Sequence, residues 1–332
     1  MLTEASFRRA VAVSVLAPSL HNSQPWLFER QDDRVLVRVD PSRWLRHEDP
    51  LHREQVLSCG AAVHHLVVGL RHAGFDVTWE ATPTDDPDLV AVVTVLGRRP
   101  ETWHELHLYT AAAGRHMDRT AFADAPVPAI VLEQLAAVAS EQGCSLRRLD
   151  HRGVTALAIL TDLAEQRFQD DPALRAEQQG WTSDLEHPAE GVPRNALAMD
   201  PSDAFPVRLR DFSGSTAGKT AGKAADKPGL GADDHAVIVV LSTETDDRRA
   251  WVRCGWALSD VLLNLADQGL VASPLNQPLE VSGLRACLRA ACEVDGFPQL
   301  ALRLGYPSAF GSPRTGRRPV EQVLLEEVLR QP

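Results

Sequence analysis

The chain has 332 residues, 44% of them hydrophobic, a formal net charge of -11 and five cysteines. That length allows two ordinary domains or one large one around a sizeable core, and the acidic balance argues against general nucleic-acid binding, which needs a positive surface. No apolar run is long enough to span a membrane. The cysteines are scattered without a CxxC pair and read as reduced thiols, and Met1–Arg9 lacks a signal-peptide pattern, so a cytoplasmic location is expected.

Residues 3–16 suit a short helix, with Phe7, Val11 and Val15 on one stripe. The run Ala17-Pro18-Ser19-Leu20-His21-Asn22-Ser23-Gln24-Pro25-Trp26 follows. Its two prolines resist continued helix, and Ser19, Asn22, Ser23 and Gln24 place polar groups on a backbone free to meet a ligand. Residues 27–29 and 35–39 alternate like paired strands around a 31–34 turn, and 41–53 is a polar connection. Glu54 to His72 is strongly helical and ends at Gly74, a C-cap glycine; Leu89 to Leu96 is an apolar β-run.

Val131 to Ser140 and Ala156 to Gln169 read as helices. From about 181 to 234 the pattern dissolves into Pro, Gly, Asp and Ser, as a lid or loose insertion would. Trp181, Leu197, Met199, Phe205, Leu209 and Phe212 give part of it enough apolar surface to pack. Gly214 to Thr220 imitates a P-loop but has three residues between its glycines where the motif needs four, and no strand precedes it. Neither GxGxxG nor GxSxG occurs.

A repeat joins the two ends of the chain. Cys59-Gly60 opens a helical run that stops at Gly74, and Cys254-Gly255 opens one that stops at Gly269, at identical spacing. Leu66, Val67, Val68 and Leu70 match Val261, Leu262, Leu263 and Leu265. β-Runs flank both helices, at 35–39 and 89–96 in the first case and at 236–241 and 300–304 in the second.

The segment from Ala17 to Trp26 resembles the flavin loop of the nitroreductase superfamily, Ala-Pro-Ser-x-x-Asn-x-Gln-Pro-Trp. Its His21 and the chain length are most similar to the Acg-type, FMN-binding branch of actinobacteria. The resemblance implies an α+β (α/β sandwich) nitroreductase-like fold. Two tandem nitroreductase-like halves, 1–108 and 109–332, would then mimic the usual homodimer, with a lid insertion at about 181–234. It implies FMN as cofactor, with Pro18, Ser19, Leu20, Asn22 and Gln24 toward the flavin.

A dianionic phosphate calls for arginine forks. The cluster Arg115-His116-Met117-Asp118-Arg119 puts two arginines on one face if helical, and Arg317 and Arg318 lie near the C-terminus. By resemblance Arg115, His116, Arg119, Arg317 and Arg318 fall at the phosphate, and Leu275, Asn276 and Gln277 near flavin N5. The first half lacks the arginines and the second lacks the loop, so one complete site is expected. Histidines 64, 65, 104, 107 and 116 have no metal-ligand spacing, and no metal is assigned; 64 and 65 read as helix surface or interface.

The resemblance implies an oxidoreductase moving hydride from NAD(P)H through FMN to a small organic acceptor, with no catalytic side chain obligatory. FMN storage beneath a closed lid and a flavin-dependent biosynthetic oxidase remain alternatives. As partners it implies no nucleic acid and no membrane, and either a monomer with a pseudo-dimeric fold or a loose homodimer.

Overall fold

The computed structural model describes residues 1–82, 86–183, 185, 188–193, 207, 210, 235–308 and 314–325. Helix α1 (Glu4–Ser14) is N-capped by Thr3, whose hydroxyl accepts from the Ser6 N–H at 3.2 Å. Strands β1 (Trp26–Gln31) and β2 (Arg34–Val39) form an antiparallel hairpin. Helix α2 (Arg53–His72) is buried over almost its whole length, and Gly74 follows at φ +76°, as a C-cap glycine should. Strands β3 (Phe75–Ala81) and β4 (Leu89–Arg98) complete a sheet of order β1-β2-β4-β3.

A capping box of Thr102 and Glu105 starts α3 (Trp103–Gly114). Then come α4 (Ala129–Ser140), β5 (Cys144–Arg148), α5 (His151–Asp170), capped by Asp150, and α6 (Pro172–Gly180). The short strands β6 (Thr182–Ser183) and β7 (Val192–Pro193) pair in parallel. Beyond the insertion lie β8 (Val237–Thr243), α7 (Arg248–Asp267), β9 (Val271–Pro274), α8 (Gln277–Glu280), α9 (Ser282–Ala291) and β10 (Phe297–Gly305). The second sheet has the order β5-β8-β10-β9.

The two sheets have the same connectivity: in each, the first two strands are neighbours, a long helix follows the second, and the fourth strand inserts between second and third. Both central helices, α2 and α7, are 20 residues long and pack against each other through their matching glycines. A Cβ on Gly255 would lie 1.9 Å from the Leu57 carbonyl oxygen, and one on Gly60 would lie 2.2 Å from that of Val252. Only a missing side chain permits that approach. One large core packs α1, α2 and the first sheet, and another packs α4, α7 and the second.

Strand β3 falls where no strand is expected above, although Phe75-Asp76-Val77-Thr78-Trp79-Glu80-Ala81 alternates cleanly. The second repeat helix is expected from Cys254, whereas α7 begins at Arg248 under an Asp247 cap, because its charged first turn conceals the apolar period. The 108/109 boundary falls inside α3, which packs on both α2 and α7. Leu197, Met199, Phe205, Leu209, Phe212 and the P-loop imitation lie outside the described residues.

Two segments cross between the sheets and shape the site. Residues 314–325 run back to the first sheet: the Phe28 N–H donates to the Val323 carbonyl at 2.8 Å and Leu325 N–H to the Phe28 carbonyl at 2.9 Å. This covers the edge strand β1. After α3, residues 115–123 run along the second sheet. The Asp118 N–H donates to the Ala272 carbonyl at 2.9 Å and Ala123 N–H to the Tyr306 carbonyl at 2.9 Å.

Candidate functional site

The two crossing segments, the 18–22 loop and the β9–α8 connection meet around one cavity enclosing about 1150 Å³, its mouth included. Pro18, Ser19, Leu20, His21 and Asn22 line it from the early loop. Glu54, Leu57 and Ser58 come from α2 and Leu258 from α7. Pro274, Asn276, Gln277 and Glu280 come from the β9–α8 region, with Leu300 and Leu302 of β10 behind them. Arg115, His116, Met117 and Arg119 enter on one crossing segment, Thr315 and Arg317 on the other, and Val192 and Arg210 from the insertion.

The early loop is held in an uncommon shape. His21, Asn22 and Gln24 have φ of 47°, 55° and 50°, left-handed values that non-glycine residues adopt rarely. Local bonds fix them: the Gln24 N–H donates to Ser19 Oγ at 3.0 Å, and Leu20 N–H to Ser58 Oγ at 3.2 Å. Asn22 Nδ2 donates to the carbonyls of Gly191 at 3.1 Å and Gly316 at 3.2 Å, tying the loop to the insertion and to the C-terminal crossing.

Three of the expected residues stand behind the wall rather than in it. Gln24 is fully buried: its Nε2 donates to the Ala189 carbonyl at 2.7 Å and its Oε1 accepts from the Arg318 N–H at 2.8 Å. Arg318 turns away to the Gln24 carbonyl at 3.1 Å, the Gln322 carbonyl at 2.7 Å and Asp40 at 3.4 Å, clasping the C-terminal segment to the first half. Leu275 points into the core, and its N–H donates to the Ala301 carbonyl at 2.8 Å. The run 115–119 is not helical either. Met117 bridges to Ala272 as extended chain, and Arg115, His116, Met117 and Arg119 all line the cavity.

Arg115 and Arg317 form the positive end of the cavity. Arg115 Nη2 and Arg317 Nη2 both donate to the Leu16 carbonyl, at 2.9 and 3.3 Å. Arg317 Nη1 also takes Thr315 Oγ1 at 2.7 Å and the Gly316 carbonyl at 2.8 Å. The Nε of each is buried without a hydrogen-bond partner, and among the described residues neither arginine meets a carboxylate. Burial, then the nearby Arg317, pushes Arg115 down to about 9; burial lowers Arg317 to about 10. Arg119, lowered to about 10 by burial and then by Arg210, makes no hydrogen bond or ion pair among the described residues.

Beside this end, His65 is buried between α2 and α7, not on a helix surface. Ser259 Oγ lies 2.8 Å from His64 Nδ1 and 2.7 Å from His65 Nδ1. Burial drives His64 down to about 3 and His65 well below the usual range, with Arg115 adding to the effect on His65. Both stay neutral at pH 7. No group of three or more candidate metal ligands occurs among the described residues.

The lining also includes Glu54, Leu57, Ser58, Met117, Leu258, Glu280, Leu300 and Leu302, together with Val192 and Arg210 of the insertion, which sequence alone does not place here. Glu54 and Ser58 stand one helical turn apart, a spacing that marks a common face but says nothing of what it faces.

No protein-family model matches the chain. A Mycobacterium tuberculosis protein with the provisional name NAD(P)H nitroreductase Rv3131 is 35% identical over 336 aligned positions, covering 98% of this chain and 93% of that protein. The Mycobacterium tuberculosis NAD(P)H nitroreductase Acg, also provisionally named, is 29% identical over 329 positions, 97% of this chain and 96% of its own. A crystal structure of a Bacteroides fragilis nitroreductase with bound FMN aligns with a TM-score of 0.36 at 15% identity, over 68% of this chain and 94% of that one. Fold and cavity define a mixed helix–sheet protein with a pocket lined from both ends of the chain. The chain belongs to the nitroreductase family and, within it, is Acg-like. No helix among the described residues is long and apolar enough to cross a membrane.

Proposed function

We propose that the chain is a flavin-dependent oxidoreductase that holds FMN in this cavity and passes hydride from NAD(P)H to a small organic acceptor. One observation carries the reading: two buried guanidiniums, each with an orphaned Nε, share the Leu16 carbonyl and have no carboxylate partner among the described residues. Such a pair is stable chiefly when an anion completes it, and a phosphate dianion has the charge and the acceptor oxygens. Arg115 and Arg317 would hold the phosphate, with His116 and Thr315 lining the same cavity. The Pro18–Asn22 loop and the Pro274–Gln277 connection would flank the ring. FMN, when bound, supplies the two-electron chemistry. The protein's part is to fix it, exclude water and admit two substrates in turn.

Flavin sequestration is a second reading with its own support. Val192 and Arg210, both from the insertion, line the cavity, and Arg210 is bound by Glu48 and Glu280. Anaerobic mixing of the flavin-loaded protein with NADH or NADPH separates the two. Bleaching of the flavin by either donor is expected; its persistence with both would leave sequestration. The two like units in one chain also fit a monomer that needs no second copy to close its site.

A further inference from the structure

Glu280 ends α8, lines the cavity, and has a side chain 1% exposed. Arg210 Nη2 donates to its Oε2, while Oε1 is buried without a hydrogen-bond partner. The same guanidinium, through Nη1, also binds Glu48, another fully buried carboxyl. Glu48 has a second cationic or donor partner in His21 Nε2, at 2.7 Å. The charges bearing on Glu280 are Arg210 from the insertion, Glu48 from the connection after β2, Arg53 and Glu54 of α2 and, through Arg210, the buried Glu165 of α5. Arg53 is already engaged by Glu54, by Gln299 Oε1 at 3.2 Å and by the Leu279 carbonyl at 3.2 Å.

Several carboxyls around fewer guanidiniums favour one bound proton, on the group with the fewest partners. Burial, joined by Glu48 and Glu54 and opposed by Arg210, raises Glu280 well above the usual carboxylate range. Glu48 is pushed the other way: His21 and Arg210 overcome its burial and keep it ionised. Of the carboxyls on Arg210, the two that accept its hydrogen bonds thus hold opposite protonation states, the arrangement from which acids are built.

We propose that Glu280 is the proton donor to the acceptor: with FMN bound and reduced, a quinone in the cavity would take the hydride that FMN supplies and a proton from the Glu280 carboxyl, and would leave as the hydroquinone. The carboxyl O–H bond breaks as a hydroquinone O–H bond forms, both electrons travel with the hydride, and the Glu280 carboxylate regains its proton from water. This rests on the reductase reading above.

The proton can be tested without turnover. The infrared difference spectrum of wild type minus Glu280→Gln at neutral pH should contain a protonated-carboxyl C=O band that shifts in heavy water, the Asp49 carboxyl being common to both and cancelling. With the flavin photoreduced, 1,4-benzoquinone should reoxidise Glu280→Gln at least about 100-fold more slowly than wild type, the lower end for general-acid catalysis. Reoxidation should slow by a much larger factor than flavin reduction by NADPH or FMN binding, measured in the same variant. The wild-type reoxidation rate should fall as pH rises through the Glu280 pKa, that of Glu280→Gln should be flat, and Glu280→Asp should recover part of the rate. If Glu280→Gln does not fold, Glu48→Gln removes a like charge and should move the wild-type pH profile to lower pH. An unchanged infrared band in Glu280→Gln, wild-type reoxidation by it, or an unmoved profile in Glu48→Gln would overturn the proposal. A wild type that binds no flavin would defeat the reductase reading and this role with it, and the infrared band would then report only a buried acid.

Discussion

Removing the Arg317 side chain tests the positive end of the cavity most directly. Its acceptors are the Leu16, Thr315 and Gly316 carbonyls and Thr315 Oγ1, all neutral, so the cation stays uncompensated until an anion arrives. A hydrogen bond to a charged group is worth about 1.5–3 kcal/mol, so Arg317→Ala should weaken FMN by about 10- to 150-fold. Riboflavin lacks the phosphate and should lose far less; fluorescence titration with both ligands isolates the phosphate contribution. The apo protein should behave differently. Arg317 is one cause of the lowered Arg115, so deleting it relieves a buried like-charge pair, and the melting temperature without ligand should hold or rise. FMN at 100 times the wild-type Kd stabilises by about 2.7 kcal/mol; if the variant binds about 100-fold more weakly, the same concentration gives about 0.4 kcal/mol. Equal losses for FMN and riboflavin, or an FMN affinity untouched by the substitution, would refute the phosphate assignment.

Gly255→Ala should cost more than about 4 kcal/mol in urea unfolding, because its new Cβ meets backbone 1.9 Å away, while Gly180→Ala, with open space around it, should be close to neutral. Asn22→Ala should destabilise by about 2 kcal/mol through two lost hydrogen bonds, and Asn22→Gly by less, since glycine accepts the 55° φ; equal losses would argue that the backbone strain is immaterial. Burial and Glu54 push the Asp49 carboxyl up to about 7. Its folded pKa exceeds the unfolded value of about 3.9, so its contribution is full below that pH and lost as pH rises through 7. The stability of wild type minus Asp49→Asn should therefore decline between about pH 4 and 7, and a flat difference counts against the shift. Finally, the cavity takes its loop from residues 18–22 and its arginines from 115–119 and 317, so absorbance should give one flavin per chain; two would contradict this reading.

Local chemistry alone determined much of the molecule. The proline-bounded run 17–26, the helix from the low fifties to His72 and the matching glycines at 60 and 255 are signals that act over a few residues or by simple period, and they were legible. Charge type marks the arginine clusters at 115–119 and 314–318 without singling them out; the resemblance to the flavin family points to Arg115, Arg119 and Arg317, and all three line the cavity. The tertiary structure decided which face each residue turns. Gln24 and Arg318 carry the same polar chemistry as their neighbours, yet partners hundreds of positions apart in the chain, such as the Arg318 N–H on Gln24 Oε1, commit them to holding backbone together. Leu275 faces inward because β10 takes its N–H. Glu48, Arg210 and Glu280 come from three distant segments, and each alone reads as a solvated surface charge. Only burial beside one another turns them into a coupled group, because the cost of charge depends on the surrounding dielectric and neighbours, which no local window contains.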